Sequence, residues 1–167
     1  MNIKTITAVA LLMSANSAMA TDSPINGSVQ PKCSVYTETQ GVYGNPLPNK
    51  LDTLPASGGT KASIRYDVAQ ANFYLARITH PDSFSSSPTL DDAVAWVGSS
   101  VVGQVSVAAM SDYEAAKVIS PVNVTTFNLT LAGSTWFTVS STATYGYNKA
   151  LPAGNYTAII KADCIAK

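Results

Sequence analysis

The chain has 167 residues, ten Lys or Arg against ten Asp or Glu, one His and a formal charge of zero. The length is that of one domain, and zero charge argues against a nucleic-acid binder, which needs Lys/Arg clusters to displace counterions. One histidine and two cysteines exclude a His-rich or Cys-rich zinc site, and a 46% hydrophobic share argues against disorder.

Residues 1–20 carry Lys4, then an apolar core at 8–13 (AVALLM), then the small-x-small sequence Ser17, Ala18, Met19, Ala20. This is the pattern of a secretory signal peptide, with cleavage expected between Ala20 and Thr21. Its apolar run is too short to span a bilayer. Export would place the chain in an oxidising compartment, where Cys33 and Cys164 are expected to pair. Two free thiols are the alternative.

The remaining elements read as β, in short alternating runs broken by Gly, Pro, Asn and Ser. Residues 25–29 (INGSV) put Ile25, Gly27 and Val29 on one face, and Pro31 separates them from a run that starts at Cys33. Residues 41–60 contain Pro46, Pro48 and Pro55, so they read as edge strand or loop. Residues 62–68 alternate cleanly, and 72–79 follow a turn. After a polar loop at 80–90, residues 93–97 and 101–109 suggest a hairpin around Gly98, Ser99 and Ser100. Ser111 and Glu114 fit a capping box, which predicts one or two helical turns over 111–117. Residues 122–131 and 135–145 are β-branched and aromatic, joined by a turn at 132–134. The last run, 155–165, places Tyr156, Ala158, Ile160, Ala162 and Cys164 on one apolar face. About eight short strands predict an all-β, immunoglobulin-like β-sandwich.

Chemistry is sparse in the sequence. His80, the only histidine, precedes Pro81 in the polar loop and reads as a solvated side chain; no G-x-S-x-G elbow accompanies it. Asp82, Asp91 and Asp92 could form a loop Ca²⁺ site, but solvated acids are the simpler reading. Sequons at Asn26, Asn123, Asn128 and Asn155 reflect a composition rich in Asn, Ser and Thr. Trp96, Trp136, Phe137, Tyr145 and Tyr147 fit either core packing or a sugar site.

The two ends of the chain carry the functional signal. The final run stops close to Lys167, which predicts a sandwich short of its last strand, with an apolar groove and unpaired backbone groups. A short alternating peptide such as residues 25–29 could fill that groove by β-strand addition. Equally, residues 25–29 could be the domain's own first strand.

The order of motifs resembles the major pilins of alpha-class, colonisation-factor-like chaperone–usher fimbriae. The resembling stretches are residues 25–31 (INGSVQP), 44–48 (GNPLP), 94–96 (VAW), 112–116 (DYEAA) and 151–156 (LPAGNY). The Cys33/Cys164 pair departs from that pattern. The resemblance implies an incomplete sandwich over residues 32–167, preceded by a donor strand within 21–31 that uses Ile25, Gly27 and Val29. It implies an acceptor groove at Tyr156, Ala158, Ile160 and Ala162 with Val35 opposite. It also implies partners: copies of the same chain, a periplasmic chaperone, an outer-membrane usher, a tip adhesin and a host glycan. The chain would be a structural subunit exported through the periplasm to a surface fimbria, with no enzymatic activity and no cofactor. The competing expectation is a self-complete secreted β-sandwich that binds glycans.

Overall fold

The computed structural model describes residues 32–167. The signal sequence, its cleavage point at Ala20 and Thr21, and the donor-strand residues Ile25, Gly27 and Val29 lie outside the described residues. The described chain is all-β and antiparallel, with ten strands in two sheets. In chain order they are β1 (Cys33–Thr39), β2 (Gly44–Leu47), β3 (Lys50–Asp52), β4 (Ala62–Val68), β5 (Tyr74–Thr79), β6 (Val94–Val105), β7 (Val118–Ile119), β8 (Val124–Leu129), β9 (Gly133–Tyr145) and β10 (Lys161–Ala166).

The first sheet is organised around β9. One edge of β9 pairs with β6 from Val94↔Tyr145 to Val105↔Thr135. Its other edge pairs first with β4, from Val68↔Gly133 to Ala62↔Val139, and then with β3, from Asp52↔Thr142 to Lys50↔Thr144. β1 lies outside β4, and β2 lies outside β3. The second sheet runs β10-β5-β8-β7. Alternation decides which side chains meet between the sheets. Ile64, Tyr66 and Val68 of β4 and Phe137 and Val139 of β9 are buried against Ala76 and Ile78 of β5 and Phe127 and Leu129 of β8. Phe137 stacks 4.2 Å from Phe127 and lies edge-on to Tyr66 at 5.4 Å. The Tyr66 hydroxyl donates to the Arg77 carbonyl at 3.1 Å, which satisfies a buried polar group across the interface.

Three local expectations are corrected. No hairpin forms at Gly98, Ser99 and Ser100; β6 runs unbroken past them, opposite Ser141, Ser140 and Val139. Its only irregularity is a register shift between Val102 and Gln104. The capping box does not form either. Ser111 Oγ donates to the Ala108 carbonyl at 2.7 Å, and the Glu114 carboxylate accepts from the Val102 amide at 2.9 Å, so the segment Ala108–Glu114 is a 3₁₀ turn. The last run is strand only from Lys161 onward. Residues 155–160 carry one isolated bridge, Thr157↔Ser86, and are otherwise outside any ladder. Their alternation survives as far as Lys161: Tyr156, Ala158 and Ile160 are half-buried, while Thr157, Ile159 and Lys161 are exposed; from Ala162 to Ile165 every residue is half-buried, Asp163 included.

Candidate docking groove

β1 closes one side of the first sheet and β10 closes one side of the second. Among the described residues, neither has a ladder partner on its outer edge. The expected disulfide is present and joins these two edges: Cys33 and Cys164 are bonded, with Cα atoms 6.3 Å apart. Beyond the disulfide two adjoining cavities of about 380 Å³ each follow the seam. The nearer cavity lies between Thr37, Thr39 and Gln40 on one rim and Ala158, Ile159 and Ile160 on the other, over Ala62 and Ile64. The farther one lies between Val42 and Tyr43 and residues 154–158, beside Leu51. Gly41, Thr157 and Ala158 border both. None of the lining residues is charged.

The groove residues expected from sequence fall into two groups. Tyr156, Ala158 and Ile160 line the cavities. Val35 and Ala162 do not; they sit on the disulfide side, packed against the core. The opposite rim was not foreseen. Ala62 and Ile64 were legible as one face of an alternating strand, but Tyr43 and Leu51 lie in the proline-rich stretch, where periodicity is lost. Two tyrosines brace the far end. Tyr156 donates to the Pro152 carbonyl at 2.6 Å, and burial, with a smaller contribution from Tyr145, pushes its hydroxyl up. Tyr43 shares a hydrogen bond of 3.0 Å with Ser141 Oγ, and burial pushes its hydroxyl up as well.

His80 is not solvated; it is 2% exposed. Its Nε2 lies 3.2 Å from Ser100 Oγ on β6 and 3.2 Å from Thr125 Oγ1 on β8, so one ring links the two sheets. Burial lowers its pKa. Ser and His at this distance form part of a hydrolytic triad, which needs a carboxylate on the other ring nitrogen. Nδ1 has no hydrogen-bond partner among the described residues, and Ser100 is 1% exposed. The pair reads as a buried link between the two sheets.

Asp91 and Asp92 are ion-paired rather than poised for calcium: Lys149 Nζ reaches Asp91 at 3.1 Å and Asp92 at 3.4 Å. The Tyr145 hydroxyl also donates to Asp91, and this bond, followed by the Lys149 charge, lowers the Asp91 pKa. No cluster of three or more His, Cys, Asp or Glu suited to a metal occurs among the described residues.

The aromatics divide by position. Phe137 and Tyr145 are buried, and Tyr147 is exposed. Trp136 shares the Arg65 guanidinium with Tyr36 on the outer sheet face. Trp96 alone borders two open depressions, next to Phe84 at 4.7 Å, and Phe84 in turn lies 5.0 Å from Tyr156. Comparison with protein-family models, with curated proteins and with solved structures finds no match.

Proposed function

We propose that this protein is a structural subunit of a bacterial surface fimbria, an incomplete immunoglobulin-like sandwich that polymerises by donor-strand exchange. The observation that carries this reading is the uncharged groove between the end of β1 and residues 154–160, which continues two sheet edges that lack ladder partners among the described residues. Such edges are templates for another strand. Residues 25–29 (INGSV) suit the groove, since they alternate and carry no charge. Backbone pairing would supply the ladder. Ile25 and Val29 would each gain roughly 1.5–3 kcal/mol on full burial, and Gly27 would allow close approach. A periplasmic chaperone would hold the groove before an outer-membrane usher exchanges it for the next subunit's strand, and the fibre would carry attachment to host or surface.

The test is the assembly state of the full chain, read by size-exclusion chromatography with light scattering. Ile25→Asp combined with Val29→Asp should abolish oligomers and leave a folded subunit. Unchanged oligomers in that variant would sink the reading.

A second reading, glycan binding, is favoured by the setting of Trp96. One depression of about 430 Å³ holds Asp82, Phe84 and Trp96 with the hydroxyls of Ser83 and Ser87, and another of about 290 Å³ holds Asp82, Trp96 and Asn123. An indole flanked by a carboxylate and an amide suits a neutral pyranose. Calorimetric titration with a panel of methyl glycosides tests it: heat lost in Asp82→Ala supports a sugar site, and no heat with any glycoside rejects it.

A further inference from the structure

The disulfide joins the two rims of the groove, which a bridge within one sheet would not do. A strand inserted between two others needs a spacing of roughly 4.8 Å on each side, so its neighbours must stand roughly 9.5 Å apart. At Cys33 and Cys164 the rims are held with Cα atoms 6.3 Å apart. No strand passes there. The residues that follow the disulfide on each rim, Val35 and Ala162, pack on the core and line neither cavity. The cavities begin at Thr37 and Ile160 and continue to Tyr43 and Gly154.

We propose that the Cys33–Cys164 disulfide is the stop of the groove, so that an inserted segment pairs only on the Gly41/Gly154 side and reaches no further than Ile160. This inference rests on the groove reading above and adds what limits the inserted segment on one side. Residues 154–160 span roughly 23 Å when extended, and the uncharged run 25–29 spans roughly 17 Å, so that run fits with about one residue to spare at each end. A period-two segment that slips by one residue turns its apolar face outward. A covalent stop at one end bounds that freedom, because a slip of more than the residue to spare toward β10 would run into the disulfide.

The test is photo-crosslinking in the assembled full chain, with Ser28→p-benzoylphenylalanine so that Ile25 and Val29 stay in place. Crosslinks mapped by mass spectrometry should fall on residues 37–43 and 154–160 and be lost beyond Ile160. In the Cys33→Ser, Cys164→Ser background they should shift to include 161–165. Wild-type crosslinks at 162–166 would overturn the stop while leaving the groove reading intact. Crosslinks still confined to 154–160 in the serine background would overturn it too. Absence of crosslinks to either rim would overturn the groove reading itself. The wild-type map decides by itself if the serine variant does not fold.

Discussion

The backbone of Gly98 lies against the His80 ring so closely that a Cβ at position 98 would fall 2.2 Å from the ring's Cγ. The glycine therefore serves an approach between β6 and the end of β5, not a turn. Gly98→Ala has to push the ring away from Ser100 and Thr125. Overpacking of this kind costs about 1–3 kcal/mol. Urea unfolding should show the midpoint falling, with an unchanged slope.

His80 also gives the fold an acid sensitivity. Burial holds its pKa below the ordinary 6.5, so the unfolded chain takes up the proton first as pH falls. The stability linked to the neutral ring is complete above about pH 6.5 and is lost as pH drops through the folded pKa. Thermal unfolding followed from neutral to mildly acidic pH should show this decline in the native protein. His80→Gln should flatten it, leaving only the later loss from the paired carboxylates.

Removing the disulfide tests a separate contribution. The two cysteines are 131 residues apart in sequence, and the chain-entropy model assigns a loop of that size about 5 kcal/mol. Cys33→Ser with Cys164→Ser should lower the denaturant midpoint substantially in the same buffer. A midpoint within error of the native one would mean that the unfolded chain is already compact around that loop.

Phe137 is one of the contacts through which both sheets share one core. It is fully buried between Tyr66 and Phe127. Phe137→Ala should cost about 3–5 kcal/mol, the range for buried aromatic truncation, measured by equilibrium unfolding.

Ala158 borders both groove cavities and is half-buried. Ala158→Asp would place a charge in an uncharged groove without touching the main core. Light scattering should show assembly lost, while the unfolding midpoint of the isolated subunit stays close to native.

Where alternation was strict, the sequence-level reading and the structure agree: residues 62–68 form β4 with the expected inward face, and the two cysteines pair. The misreadings have a common physical origin, a partner distant in sequence. Gly98, Ser99 and Ser100 look like a turn until His80 and β9 are seen to require small residues there. Glu114 looks like a cap until the Val102 amide claims its carboxylate. His80 looks solvated because nothing in its neighbours in sequence announces Ser100 and Thr125. One groove rim was legible in the period-two pattern of 156–160. The other was not, because Tyr43, just before β2, and Leu51, in β3, lie within a stretch that prolines make aperiodic.

The dependence of the first sheet on β9 has a consequence for how the molecule comes together. β1 with β4 and β2 with β3 are two separate two-stranded ladders, and only β9 joins them to each other and to β6. Two-stranded ladders are marginal by themselves in water. The first half of the chain thus has no lasting sheet until residues 133–145 arrive, which makes folding non-local and slow. The amides in the middle of β9, flanked on both sides, should then be the last to exchange their hydrogens with solvent, and the short ladder of β2 among the first.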